Sequence, residues 1–333
     1  MPLVNAPGQI DLAEESPLGR DLRSTPTRAA DALADVRGAL ALIAGDVQAR
    51  GLLAETGPDP DPEGALAGWL YGHWWCGPDA QRDQTAAEPN AATRGAALLE
   101  AARRTVAPTS AGWLVLAAAG DVLVAARATG RLRTVADAVV GSSRPGCSPR
   151  PGDLVTLQHG SSGLDPSGAW WWAHADRPED LAEVALDRWY VHARDLATAS
   201  AVVPVLLAVA AEVGCSLSLK CPPVAQGYGR RDVLVAYLPR RDAAEAEVGL
   251  RRRADRLARL LAPDVPPCTR RLLPGVAHAE DPGAAAVSYG QLRCSQVAAL
   301  AARLGGCSIS DRLLTAALAE LEVDVHAVER VLR

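Results

Sequence analysis

Lys220 is the only lysine in the chain; every other basic residue among the 34 is arginine. A guanidinium stays protonated in proteins, whereas an ammonium gives up its proton when buried or set beside other cations. A site that needs a proton acceptor on a long stem can use lysine and cannot use arginine. Either a coding preference for Arg, Ala, Gly and Pro spared one lysine by chance, or Lys220 is a base. It lies in CSLSLKCPP, an apolar strand with arginines close by in sequence. Upstream, RWYVHARD puts Arg188, Tyr190 and His192 on one face of a strand, because side chains alternate with a period of two. Downstream, Arg230, Arg231 and Asp232 introduce GYGRRDVLVAYL. Base, candidate acid and anion-binding cations thus fall inside about fifty residues.

The elements that carry them read strand, helix, strand, turn, strand from Arg188 to Leu238, with ATASAVVPVLLAVAAEVG as the helix. Before them, residues 1 to about 24 read as a poorly ordered arm. A helix is expected through RAADALADVRGALALIAGDVQARGLL, a short aromatic-rich helix or turn at GALAGWLYGHWWCG, and a third helix ending before Pro108. The pattern changes near Gly112. Residues 112–175 read as a small antiparallel β region with a Gly-Asp hairpin turn. Trp170, Trp171 and Trp172 in a row must put rings on both faces of a strand. RRDAAEAEVGLRRRADRLARLLA reads as one charged amphipathic helix. PDVPPCTRRLLPGVAHAEDPGAAAVSYGQLRC reads as a long irregular segment, and two further helical stretches close the chain. The expected fold class is α+β: a helical N-terminal part (1–110), then residues 111–333 holding the small antiparallel β region and a C-terminal α+β core.

Composition bounds the function. The net charge of −5 is not basic enough for general nucleic-acid binding. No apolar run of about 18 residues stands out, which predicts no membrane span. The N-terminus lacks the charged start and apolar core of a signal peptide. Seven dispersed cysteines without a C-x-x-C pair fit reduced thiols in a cytoplasm. G-x-S-x-G, G-x-G-x-x-G, a P-loop, H-E-x-x-H and kinase signatures are all absent, and no His, Asp or Glu cluster has metal-ligand spacing. The expectation is chemistry without metal or cofactor, on an anionic substrate, by proton removal. Arginine forks hold phosphate, lysine takes a carbon-bound proton, and histidine serves a leaving oxygen.

The segments RWYVH, LKCPP, GYGRRDVLVAYL, TRRLLPGVAHAEDP and SYGQLRC resemble the Hop-type effector domain, over roughly residues 110–305. That family takes its name from a plant-pathogen type III effector and also occurs in actinobacterial clusters for lanthionine- or thioamide-containing ribosomal peptides. The resemblance implies a phosphoserine/phosphothreonine lyase. Its partners would be a precursor peptide with leader and phosphorylated core, an aminoglycoside-phosphotransferase-like kinase, and a possible cyclase. A more distant resemblance to type III effector phosphothreonine lyases implies an ordered cation-x-His, base lysine and phosphate-binding arginine. Here Tyr190-Val191-His192 stands at the first position, with tyrosine in place of the cation. Lys220 matches the base, and Arg230 or Arg231 the arginine.

The resemblance assigns Lys220 to the α-proton and protonated His192 to the leaving oxygen. Arg188, Tyr190, Arg230, Arg231, Arg271 and Arg293 would hold the phosphate, with Asp232, His159 and His278 in support. For His192 the other role is that of a packed strand histidine; for each arginine it is a surface salt bridge. The alternative of another class is a non-catalytic scaffold that binds the leader peptide and activates the kinase, in which Lys220 would pair with a carboxylate.

Overall fold

The computed structural model of the protein describes residues 29–53, 61–78, 95–102, 109–127, 130–158, 162–165, 167–175, 184–283, 287–304 and 310–331. The expected N-terminal arm and His159 lie outside them. The fold class is α+β. Helices α1 (Ala29–Gly45), α2 (Val47–Leu53) and α3 (Pro62–Leu70) come first, and α3 runs directly into a π-helical turn, Tyr71–Trp75. Helix α4 (Ala96–Ala102) follows.

Strands β1 (Thr109–Ala119), β2 (Val122–Arg127), β3 (Gly130–Val135), β4 (Val139–Ser142) and β5 (Leu154–Gln158) form a five-stranded antiparallel sheet in the order β3-β2-β1-β5-β4. Val115, Leu123, Ala125, Val155 and Leu157 make its own small core. The expected β region over residues 112–175 is therefore divided. The short strands β6 (Ser162–Leu164) and β7 (Trp171–His174) leave it and join a larger sheet.

That larger sheet adds β8 (Leu186–Val191), β9 (Ser218–Cys221), β10 (Leu234–Pro239), β11 (Arg270–Leu273) and β12 (Val276–Glu280), in the order β11-β12-β8-β10-β9-β7-β6. Its strand pairs are antiparallel. Helix α5 (Leu196–Val213) carries the chain from β8 over to β9. Asp195 starts α5 by accepting from the Thr198 amide at 2.6 Å, and Gly214 ends it at φ 66°, a left-handed conformation that favours glycine.

The sheet alternates cleanly. Trp171, Trp189, Val191, Leu219, Cys221, Leu234 and Ala236 face one way and pack with α5, α6 (Ala243–Arg251) and α7 (Ala254–Leu260). By length and composition α5 could cross a bilayer, contrary to the expectation of no such run. Its Val202, Val203, Leu206 and Val209 are instead buried in that core, and α4, α6 and α7 contact it on other sides. A helix enclosed on several faces reads as apolar all round.

The opposite face carries Tyr190 and Val235. With them pack α1, α3, the π turn, α8 (Tyr289–Leu304) and α9 (Asp311–Glu320). The N-terminal helices thus share one hydrophobic core with the C-terminal helices and the sheet. Two further sequence expectations are corrected. The charged helix after β10 breaks at Arg252–Arg253 into α6 and α7. The irregular segment contains the hairpin β11–β12, turned at Gly275 (φ 74°). An added Cβ at Gly275 would lie 2.2 Å from the Ala262 carbonyl oxygen, so only glycine fits this turn.

Candidate active site

Register brings the central residues together. Val235 of β10 pairs with Tyr190 of β8 on one side and with Lys220 of β9 on the other. Lys220 in turn pairs with Trp172 of β7. In the neighbouring row, Tyr237 pairs with Arg188 and with Ser218. Side chains at paired positions share a face, so Tyr190, Val235, Lys220, Arg188 and Tyr237 line one cavity. Tyr71, Trp75, Trp170, Arg230, Asp232, Ser288 and Gly290 complete its wall.

Lys220 Nζ lies 5.0 Å from the centroid of the Trp170 ring and 5.6 Å from that of Tyr237. These are cation–π distances. Among the described residues no carboxylate stands within ion-pair reach of it. Each of the other cations here has a counter-charge. Arg188 donates through Nε to Asp281 at 2.5 Å and stacks over Tyr237, 5.2 Å from its centroid. That bond leaves the two terminal amino groups of the guanidinium.

Arg230 grips Asp232 with both Nε (2.9 Å) and Nη2 (3.0 Å). Burial opposes the charge of Arg230, but the Asp232 carboxylate more than offsets it and holds the guanidinium protonated. Asp232 also accepts from Tyr71 Oη (2.9 Å), Trp75 Nε1 (3.1 Å) and Cys76 Sγ (3.6 Å). Arg230 Nη2 reaches the Tyr71 oxygen at 3.2 Å.

Tyr190 differs from Tyr71. Its ring meets Trp75 edge-on at 5.5 Å, and its hydroxyl is buried without a hydrogen-bond partner among the described residues. Burial pushes this phenol well above its ordinary range, opposed by the charge of the Arg188 guanidinium and by its approach to the phenol oxygen.

The start of α8 closes the cavity. Ser288 and Gln291 cap it reciprocally: the Ser288 amide donates to Gln291 Oε1 at 2.8 Å, and the Gln291 amide to Ser288 Oγ at 3.2 Å. Ser288 and Gly290 line the cavity, so the positive pole of a sixteen-residue helix lies at its wall. Gly290 is pressed against Trp75, where an added Cβ would fall 2.5 Å from a ring carbon. Gly290→Ala is expected to cost about 1–3 kcal/mol by overpacking. A lower melting temperature and altered tryptophan fluorescence are the readouts.

Several expected site residues lie elsewhere. His192 falls one residue past the end of β8, where the alternation that held Arg188 and Tyr190 stops. Its Nδ1 bonds the Asp264 carbonyl at 3.1 Å, so that nitrogen carries the proton, and burial lowers its pKa. It does not line the cavity and is neutral at pH 7, not the protonated acid that was expected. His192→Gln should therefore change any turnover at this cavity by less than about tenfold, against the ~10²-fold or more lost with a general acid, and rates of parent and variant on the same substrate decide this.

Arg231 straps the π turn to β10: its amide bonds the Cys76 carbonyl at 3.0 Å and its Nη1 the Trp74 carbonyl at 3.1 Å. Arg271 shares the cavity's face of the sheet but sits on edge strand β11, bonded to the Pro263 carbonyl at 3.0 Å. Four strand spacings, about 19 Å, separate it from Lys220. Arg293 is 2% exposed and ties α8 to the C-terminal segment through Tyr289 Oη, Gln296 and the carbonyls of Val328 and Arg330. His278 points to the other face, its Nε2 2.7 Å from Asp187, which also pairs with Arg240. Asp232 does orient an arginine through a fork.

The sequence reading missed Tyr71, Trp75, Trp170, Ser288 and Gly290. The signals were the aromatic density of WLYGHWWCG and the tryptophan triplet. Trp171 is core, while Trp170 turns under Lys220.

Residues 171–330 match the HopA1 effector protein family. The match takes in β8 to α9 and every cavity residue except Tyr71, Trp75 and Trp170. Among solved structures, the effector protein from Pseudomonas syringae pv. syringae strain 61 aligns with a TM-score of 0.39 at 16% identity, covering 49% of this chain. The chain spans 63% of the length of that protein. The effector protein from Pseudomonas syringae pv. tomato strain DC3000 aligns with a TM-score of 0.46 at 11% identity, over 92% of this chain and 99% of that one. No curated protein matches significantly.

Proposed function

We propose that this HopA1-like domain is a lyase that removes phosphate from phosphoserine or phosphothreonine of a ribosomal precursor peptide, leaving dehydroalanine or dehydrobutyrine. The observation that carries the proposal is Lys220: a lysine without a carboxylate partner among the described residues, facing Arg188 and Arg230 across one cavity. The phosphate would occupy the space between the terminal amino groups of Arg188, the free Nη1 of Arg230 and the N-terminus of α8. Charge-assisted bonds and the helix dipole favour an anion at that point.

Lys220, as the amine, would take the α-proton. The C–H pair becomes the Cα=Cβ π bond, and the Cβ–O bond breaks with its electrons leaving on phosphate. The cations stabilise charge as it develops on the departing group, which is where electrostatic catalysis acts. Val235 and the rings of Trp170 and Tyr237 flank the half-buried amine. The scaffold alternative had Lys220 paired with a carboxylate, and among the described residues it has none.

The peptide, an aminoglycoside-phosphotransferase-like kinase that phosphorylates it, a downstream cyclase and a cytoplasmic setting belong to the proposal through the family resemblance. The test is to incubate the protein with a phosphorylated precursor peptide and follow the loss of phosphoric acid by mass spectrometry. Elimination supports the lyase. No elimination, with partner kinase activity stimulated on mixing, would favour the scaffold.

A further inference from the structure

We infer that Tyr190 is the group that protonates the leaving phosphate oxygen, a role the sequence had given to His192. The inference rests on the lyase reading above. Once His192 is placed off the cavity and His278 on the far face of the sheet, the described lining holds three phenols, Tyr71, Tyr190 and Tyr237. Tyr237 offers its ring face to Arg188 and Lys220 and is only half-buried. Tyr71 is committed: its hydroxyl donates to Asp232 and accepts from Arg230. Tyr190 is 3% exposed and lines the cavity, and its hydroxyl proton has no acceptor among the described residues: the Arg188 guanidinium beside the phenol oxygen can only donate. Buried polar groups are nearly always satisfied, so an unpartnered one facing a cavity marks a place where a ligand atom belongs.

The positions suit the reaction. Tyr190 and Lys220 occupy the same cross-strand row on either side of Val235. Their Cα atoms are therefore about 10 Å apart, two strand spacings. A phosphorylated side chain fits between them with Cα–H towards the amine and the bridging oxygen towards the phenol. Arg188 lies next along β8 and faces the same cavity, so a cation stands beside the phenolate that proton donation would leave. The phenol also remains protonated through neutral pH, because burial disfavours its charged form.

The step balances. Lys220 gains the α-proton as the C–H electrons form the double bond. The Cβ–O electrons pass to the bridging oxygen, which takes the Tyr190 proton. The products are the dehydro residue and hydrogen phosphate. Proton transfer from the Lys220 ammonium to the Tyr190 phenolate through solvent then resets the site, with no other reactant consumed.

The phosphate itself supplies the decisive test. A phosphoester dianion departs as PO₄³⁻ and needs an acid. A monoanion, populated below the second phosphate pKa of about 6, carries its own proton. The ratio of parent to Tyr190→Phe turnover on a phosphoserine peptide, measured from pH 5 to pH 8, should therefore be about 10² at pH 8. It should shrink roughly tenfold per pH unit from pH 8 towards pH 6, as the monoanion fraction rises, and level near unity below about 6. The variant keeps the ring that packs on Trp75, and a melting curve checks its fold. Because the readout is a ratio, pH effects common to both proteins cancel. A ratio below about threefold at pH 8, or a large ratio that stays constant with pH as a purely structural defect would give, overturns the assignment. If the parent protein eliminates nothing, the lyase reading falls and this inference with it; a failure confined to the ratio leaves the lyase reading intact.

Discussion

Lys220→Arg should abolish elimination while leaving the phosphopeptide bound. Arginine keeps the positive charge and stacks on aromatic faces, so it can occupy the place over Trp170 and Tyr237 that the ammonium holds. What it cannot do is take a proton from carbon. The expected loss in turnover is about 10²–10⁴-fold, the range for removing a positioned base. The dissociation constant for the phosphopeptide, read by fluorescence anisotropy, should move by no more than about threefold, less than 1 kcal/mol. Lys220→Ala should lose turnover to the same extent and binding as well, since one cation leaves the cavity. Turnover by Lys220→Arg within about threefold of the parent would remove the lysine from the chemistry. The three strands that meet at Val235 would then be a binding surface.

The part of the site legible in the sequence was the part built on one periodicity. Arg188 and Tyr190 sit two apart on a strand, and alternation alone put them on one face. Lys220 was singled out by being the only lysine. Neither feature could say that Lys220 and Tyr190 stand opposite the same residue, because register is a property of strand pairs. His192 shows the limit of periodicity. The period of two holds only while the strand lasts, and β8 stops at Val191.

Arg293 and Arg271 show a different limit. A guanidinium that ties carbonyls in a core and one that holds phosphate are the same residue type, and only burial and partners distinguish them. The contribution of the N-terminal helices was illegible for a third reason. Tyr71 reaches Asp232 across 161 residues of chain, so no local pattern records the contact. The hairpin β11–β12 did leave a signal, the Pro274-Gly275 turn dipeptide, inside a stretch whose length suggested a loop.

Asp232→Asn should be among the most destabilising single changes in the molecule, at about 3–5 kcal/mol. The carboxylate is 4% exposed and accepts from Arg230, Tyr71, Trp75 and Cys76, joining the N-terminal π turn to the start of β10. Asparagine nearly preserves the shape. It removes the charge, however, and turns an amide donor towards groups that are donors themselves. Arg230 then remains largely buried without a counter-charge, which costs far more than the net worth of the pair. Denaturant unfolding monitored by tryptophan emission reads the effect through Trp75, whose indole is one of the donors.

A second variant separates charge from packing. Replacing both members, Arg230→Met with Asp232→Leu, takes the ion pair away whole, and such replacements of buried pairs are often neutral or stabilising. It should recover most of the stability lost in Asp232→Asn, less what Tyr71 and Trp75 forfeit by losing their acceptor. Phosphopeptide affinity should not recover, because Arg230 is gone from the anion's side of the cavity. If the double variant regains both, Arg230 serves the fold alone, and phosphate recognition rests on Arg188 and the N-terminus of α8. If Asp232→Asn costs less than about 1 kcal/mol, the fork is not what fixes Arg230, and the link between the N-terminal helices and the site is weaker than its hydrogen bonds imply.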